Sequence, residues 1–284
     1  MNNYYLLGYP IAHSLSPLMM NYSFGALGID AHYSLKEATP ETLASVIQEL
    51  KTDGASGWNV TMPCKNAMLG FCDELAPASR IGGSVNTVLN RNGRLYGATT
   101  DGIGFMNAAA AAGFPLKGKK LTLLGTGGAA SAILIQAALD GVSEIAVFWN
   151  RPASRLRLEE IAGKLSGLSQ AKIIPCSYEI PGLLLSQISE SSALVNATNI
   201  GMAGTERPDA CLIPDASYLR RDLFVYDIIY HPEKTPLLRM AEEAGCPCEN
   251  GLSMLIGQGA ESFRIWTGET MPEEEVRRQL LASF

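Results

Sequence analysis

This chain of 284 residues has only three histidines and six cysteines, the side chains on which most zinc sites are built. The cysteines stand at 64, 72, 176, 211, 246 and 248, with no CxxC pair and one close spacing, Cys246-Pro247-Cys248. No histidine lies at ligand spacing from a cysteine, so a zinc site is not expected. Unpaired thiols in a mid-sized chain fit a reducing cytoplasm better than secretion. Basic charge is also scarce: 22 Lys and Arg against 28 Asp and Glu leave a formal net charge of -6. That balance argues against a nucleic-acid-binding face, although a local basic cluster can still hold a small anion. No uncharged apolar run approaches the roughly 20 residues that span a bilayer. The opening Met1-Asn2-Asn3-Tyr4-Tyr5 has neither the basic region nor the apolar core of a signal peptide. The expectation is a cytoplasmic protein with no metal, no membrane and no nucleic-acid partner, and with a homodimer left open.

What is present is ordinary for a soluble globular protein, 47% hydrophobic and 18% charged, and the length suits two compact domains. Tyr4–Leu7, Ala31–Leu35 and Gly57–Thr61 read as strands. Ser16-Pro17 and Thr39-Pro40 read as a cap followed by proline in the first helical turn, opening helices to about Leu27 and Lys51. Pro63 is expected to open another, with Lys65 in its first turn. Val85–Asn90 and Arg94–Ala98 flank Asn92-Gly93, a hairpin signal. Beyond Gly102 the texture changes. An alanine-rich helix over Gly104–Ala112 precedes short apolar strands at Lys119–Leu124, Ile145–Trp149, Ile173–Ile174, Ala193–Ala197 and Phe224–Ile228. Such strands alternating with helices indicate a parallel sheet covered on both faces. Gly251–Trp266 is again helical in pattern. The fold class expected is α/β in two domains: a mixed-sheet substrate domain and a doubly wound, Rossmann-like dinucleotide domain.

Gly125-Thr126-Gly127-Gly128-Ala129-Ala130 follows an apolar strand and opens a helix, the context in which G-x-G-x-x-G/A binds a pyrophosphate. Its glycines permit a tight turn and close backbone approach, and the helix N–H groups face the phosphates. The next strand ends in Trp149-Asn150-Arg151-Pro152-Ala153-Ser154-Arg155. No carboxylate is there for a ribose 2′-hydroxyl, while two guanidinium groups suit a 2′-phosphate. NADP(H) is therefore the expected cofactor. Upstream stand a lysine and an aspartate, Lys65 in Asn59–Lys65 and Asp101 in Thr99-Thr100-Asp101-Gly102. Singly, each has a bland explanation, a surface lysine and a helix cap. Together, ahead of a dinucleotide loop, they suggest proton transfer coupled to hydride transfer at a small alcohol or ketone. His13-Ser14-Leu15-Ser16-Pro17 adds two hydroxyls at a helix entry, suited to a carboxylate.

These segments resemble, in order and over nearly the whole chain, the shikimate dehydrogenase family. Further segments carry the resemblance: Val85-Asn86-Thr87, Asn196–Met202, Val225–Tyr230, Gly251–Leu255 and Gln258-Gly259-Ala260. The family implies reversible NADP-dependent interconversion of shikimate and 3-dehydroshikimate in chorismate and aromatic amino acid biosynthesis. It implies Lys65 as acid/base with Asp101 as its partner, and Ser14 and Ser16 on the substrate carboxylate. Thr61, Asn86, Tyr230 and Gln258 would complete the ring site, with Asn59 close by. Gly125, Thr126, Gly127, Gly128, Ala129, Thr198, Ile228 and Gly251 would line the cofactor, and Asn150, Arg151 and Arg155 would clamp its 2′-phosphate. Residues 1–101 with 251–284 would form the substrate domain, and 102–250 the NADP domain. The family pattern has Asn where Thr99 stands, fewer glycines than Gly82-Gly83-Ser84 and a smaller residue at Trp58. Quinate is the alternative substrate. A non-catalytic NADP-binding regulator and a methylene-tetrahydrofolate dehydrogenase are the alternatives of other kinds, opposed by Lys65 with Asp101 and by the serines with Gln258.

Overall fold

A computed structural model describes residues 1–283. By internal contacts the chain divides into two units, Met1–Gly104 with Ile256–Phe284, and Phe105–Leu255. The strands and helices of the first begin with β1 (Asn2–Gly8), α1 (Ser16–Ala26), β2 (Ala31–Glu37), α2 (Leu43–Thr52) and β3 (Gly57–Val60). After a 3₁₀ turn at Ala67–Phe71 come β4 (Glu74–Leu75), α3 (Pro77–Gly82), β5 (Thr87–Arg91), β6 (Arg94–Ala98) and α4 (Asp101–Ala111). The sheet order is β2-β1-β3-β5-β6-β4, with β1 parallel to β2 and β3, and β5 antiparallel to β3 and β6. It is therefore mixed, as expected. The β5–β6 hairpin turns at Asn92 and Gly93, both at positive φ, the pairing that matches strand twist.

Alternation along β3 sorts the two faces of this sheet. Trp58 and Val60 pack with Leu7, Val88, Leu95 and the buried stripe of α2, Leu43, Val46, Ile47 and Leu50. Asn59 points the other way, where Tyr4 stacks on Phe24 and Trp266 at ring separations of 5.3 and 4.8 Å. Trp266 belongs to a late helix, and its indole N–H donates to Val88 O at 2.9 Å.

The second unit contains β7 (Lys120–Leu124), α5 (Gly128–Leu139), β8 (Glu144–Trp149), α6 (Pro152–Leu165), β9 (Lys172–Ser177), α7 (Leu183–Glu190), β10 (Ala193–Asn196), β11 (Phe224–Asp227), α8 (Pro236–Glu243) and β12 (Cys248–Glu249). The chain ends with α9 (Leu252–Thr267) and α10 (Glu273–Leu281). The order β12-β11-β10-β7-β8-β9 is all parallel, and its reversal point lies between β7 and β10. Counted from its own first strand, this is the 3-2-1-4-5-6 order of dinucleotide-binding sheets. Among the described residues no helix is long and apolar enough to cross a membrane.

Several helix starts differ from the sequence reading, α4 opening at Asp101 rather than Gly104. Thr39–Thr42 closes as a turn, with Thr42 N donating to Thr39 O at 3.1 Å, so α2 begins only at Leu43. Lys65 lies in a turn rather than a helix. Its carbonyl accepts from Val85 N at 2.9 Å, a tertiary bond that outcompetes the local helical one. The contact boundaries, 104/105 and 255/256, fall inside α4 and α9, close to the 101/102 and 250/251 read from sequence. β4, β12 and α3 escape a sequence reading because two-residue strands and a six-residue helix carry no measurable period.

Trp266 closes the far face of the first sheet with both area and a hydrogen bond. Trp266→Phe strands the buried Val88 carbonyl and leaves unfilled volume. The expected loss is about 2 kcal/mol, read as a lower urea midpoint; an unchanged midpoint would show that the bond contributes nothing.

Candidate active site

Lys65 and Asp101 meet. Lys65 Nζ lies 2.7 Å from Asp101 Oδ2, and the two side chains retain 26% and 17% exposure, enough for a ligand to reach them. Asp101 opens α4, where a carboxylate is favoured by the free N–H groups of the first turn. Its other oxygen, Oδ1, accepts from Asn86 Nδ2 at 2.9 Å. Lys65 is held by its own backbone bond to Val85, the residue before Asn86.

Asn86 is buried and fully engaged. Its Oδ1 accepts from Thr100 N at 2.9 Å and Thr87 Oγ1 at 2.9 Å, which assigns the amide so that its nitrogen faces Asp101. Beneath it sits Asn59, also buried. Tyr33 donates its hydroxyl to Asn59 Oδ1 at 2.8 Å, and Asn59 Nδ2 reaches Asn86 O, Thr87 Oγ1 and Ser262 Oγ, each at 3.1 Å. Ser262 Oγ lies 2.7 Å from Thr87 Oγ1 and 2.9 Å from Gln258 O. Tyr33, Thr87, Thr100 and Ser262 were given no role in the sequence reading. Thr87 and Thr100 adjoin nominated residues, but the lone hydroxyl of Ser262 on a helix carries no local signal.

Ser14 and Ser16 sit at the entry to α1, where Ser14 Oγ accepts from Ser16 N at 3.2 Å; Ser14, not Ser16, thus serves the helix start. Thr61 follows β3, its N–H bonded to Leu7 O at 2.8 Å. Gln258 lies on α9 one turn before Ser262, in the first unit, and Tyr230 follows β11 in the second. A cavity of about 240 Å³ at Glu74, Arg91, Arg94, Leu95 and Tyr96 contains none of them.

In the second unit the nominated cofactor residues gather at the carboxyl edge of the sheet. Gly125 ends β7 at φ +110, and a side chain there would strike Thr198 and the Ala197 carbonyl within 3 Å. Glycine is thus required for the turn and for the contact between the loops after β7 and β10. Gly127 caps α5, whose first-turn N–H groups at Gly128 and Ala129 have no intrahelical acceptor. Nothing lies within 4 Å of where a side chain on Gly127 or Gly128 would project, so the loop is open to a phosphate. Asn150 and Arg151 follow β8. Arg155 Nε, one turn into α6, bonds Glu159 Oε1 at 2.9 Å on the surface. Ile228 N donates to Asn196 O, and Gly251 N to Ile229 O, where the glycine lies against the Ile228 carbonyl. These residues fit a dinucleotide: an open N-terminal cradle at the strand-order reversal, and arginines with no carboxylate at the end of β8. Among the described residues no cluster of metal-ligating side chains occurs.

Asp227 anchors the same edge. It is fully buried at the end of β11 and accepts from Asn196 Nδ2 at 3.0 Å, Ile229 N at 3.1 Å and Thr235 Oγ1 at 2.7 Å. Asn196 in turn accepts from Thr198 N at 3.0 Å and Thr198 Oγ1 at 2.8 Å. A carboxylate ending an apolar strand was the available signal. Burial outweighs these hydrogen bonds and pushes the Asp227 carboxyl up to about 6 from 3.8. Below about pH 4 the group is protonated in folded and unfolded chains alike. As pH rises from about 4 towards 6 the unfolded chain ionises while the folded carboxyl still holds its proton, so stability is lost, and above about 6 both are ionised and no more is lost. Relative to Asp227→Asn, the wild type should lose up to about 3 kcal/mol between pH 4 and pH 7. A difference in urea midpoint independent of pH would contradict the assignment.

Comparison with known proteins bears on both units. Residues 6–88 match the shikimate dehydrogenase substrate-binding domain, and residues 251–281 match the shikimate 5'-dehydrogenase C-terminal domain. A shikimate dehydrogenase (NADP(+)) of Alkaliphilus metalliredigens is 41% identical over 281 residues, 98% of this chain and 95% of that protein. The shikimate 5-dehydrogenase of Listeria monocytogenes, solved with shikimate and NAD, superposes with a TM-score of 0.94 at 41% identity, over 99% of this chain and 96% of that one. The Thermus thermophilus enzyme, solved with NADP(H) and shikimate, gives 0.84 at 33% identity, with 100% of both chains covered. With identity of this level along its whole length, and both end segments matched, the chain belongs to the shikimate dehydrogenase family.

Proposed function

We propose that this chain is an NADP-dependent oxidoreductase that interconverts shikimate and 3-dehydroshikimate, in the cytoplasmic biosynthesis of chorismate and the aromatic amino acids. The observation that carries the reading is the 2.7 Å pairing of Lys65 Nζ with Asp101 Oδ2, partly exposed to solvent. NADP(H), when bound, supplies or takes up the hydride. Lys65 holds the proton: its ammonium protonates the carbonyl oxygen during reduction, and its amine recovers that proton from the hydroxyl during oxidation. Asp101 orients the ammonium and offers an acceptor to the reacting hydroxyl. Ser14 and Ser16 take the substrate carboxylate, Thr61, Tyr230 and Gln258 take the ring hydroxyls, and Asn86 acts on the reacting hydroxyl through Asp101. A site that bonds several hydroxyls rejects ligands without them, because its own polar groups would be left unpaired. The loop Gly125–Ala129 with Thr198, Ile228 and Gly251 lines the dinucleotide, and Asn150, Arg151 and Arg155 hold its 2′-phosphate. That the relatives compared above are shikimate dehydrogenases favours shikimate over quinate and a catalyst over a regulator. Six free thiols accord with a reducing compartment.

Two measurements test this. Lys65→Ala should lower kcat for shikimate oxidation by about a thousandfold with an unchanged circular dichroism spectrum, and a variant as fast as wild type removes the assigned role. Arg151→Ala should raise KM for NADP+ about tenfold while leaving KM for NAD+ within twofold. Equal effects on both cofactors would mean that Arg151 does not read the 2′-phosphate.

A further inference from the structure

We infer that Asn59, Thr87 and Ser262 form a buried positioning layer that sets the orientation of the Asn86 amide and, through it, of Asp101. This rests on the reading of Lys65 and Asp101 as the proton-transfer pair. Asn59 then acts without touching substrate. Its oxygen is taken by Tyr33, and its two amide protons already face three acceptors, Asn86 O, Thr87 Oγ1 and Ser262 Oγ. It is only 6% exposed, so no proton of its amide remains for a ligand.

An asparagine amide has two orientations differing by a half-turn, and they exchange its donor for its acceptor. Only one of them presents N–H to Asp101 Oδ1. That orientation needs donors on the opposite side of the amide, and Thr100 N supplies one at 2.9 Å. The second is the hydroxyl of Thr87, 2.9 Å from Asn86 Oδ1. A hydroxyl carries a single proton, and that of Thr87 is also within 2.7 Å of Ser262 Oγ. Asn59 Nδ2 donates into the Thr87 oxygen, and Ser262 gives its single proton there, at 2.7 Å, rather than to Gln258 O at 2.9 Å. With its lone pairs so occupied, Thr87 directs its own proton to Asn86. In the flipped amide, the NH₂ group would face the Thr100 N–H and the Thr87 O–H, donor against donor, while an oxygen faced the Asp101 carboxylate. Thr87 and Ser262 are both fully buried, so water cannot replace either hydroxyl.

Thr87→Val removes the hydroxyl at nearly constant volume, and Thr87→Ser keeps it. Kinetics of shikimate oxidation with NADP+ separate the outcomes. Thr87→Val should lower kcat about tenfold, with KM for NADP+ within twofold of wild type, whereas Thr87→Ser should retain at least half the wild-type kcat. In an Asp101→Asn background, Thr87→Val should cost less than a further twofold, because the group it positions is already altered. Ser262→Ala, the gentler change should Thr87→Val not fold, should lower kcat about threefold with the same unchanged KM for NADP+. The inference is overturned by wild-type kcat in Thr87→Val or, should that variant not fold, in Ser262→Ala. Equal losses in the Val and Ser variants, or a full multiplicative loss in Asp101→Asn, overturn it as well. Lys65→Ala run in parallel distinguishes the failures: if it alone is impaired, only the positioning layer falls. If Lys65→Ala turns over like wild type, or the wild type does not oxidise shikimate, the functional reading falls and the layer's role in it falls too.

Discussion

Asn86 has one amide group and uses both ends of it. Its nitrogen supports Asp101, and its oxygen takes the Thr100 N–H and the Thr87 hydroxyl, both buried. Buried polar groups are costly unless paired, so this arrangement admits few alternatives. The placement of the lysine–aspartate pair follows from it. Asp101 begins α4 directly after Thr100, and Lys65 is held by Val85, directly before Asn86. Residues 65, 86 and 101 are thus fixed relative to one another by backbone bonds as well as side chains.

The two sheets solve different problems. The first is mixed and carries polar side chains on one face of β3 and β5, where a small, hydroxylated acid would need neutral partners and one anion site. The second is entirely parallel, and its function concentrates at the strand ends. Strand order alone places the loops after β7 and β10 side by side, and the contact of Gly125 with Thr198 is the local consequence. Asp227 serves that edge as Asn86 serves the other, a buried polar group whose partners hold a loop. It differs in charge, so its contribution to stability varies with pH while that of an amide does not.

Much of this was legible beforehand. The glycine loop after an apolar strand, the arginines after the next one and the hairpin at Asn92-Gly93 are local patterns with local causes. The pairing of Lys65 with Asp101 was legible only as a suspicion, since 36 residues separate them and each alone has an ordinary explanation. The helix expected at Pro63 failed because Val85 N claims the Lys65 carbonyl, a competition invisible to any window around residue 65. The layer of Asn59, Thr87 and Ser262 was not legible, because Ser262 lies 175 residues from Thr87 and sits among helix formers.

The sequence by itself determined the fold class, the dinucleotide loop and the chemical inventory, because strand alternation, glycine backbone freedom and side-chain chemistry are properties of neighbouring residues. Tertiary structure decided which donor takes the Lys65 carbonyl, which way the Asn86 amide points and what the buried Asp227 bonds. Those outcomes depend on hydrogen-bond partners from distant strands and helices, and the cost of leaving a buried group unpaired selects among them.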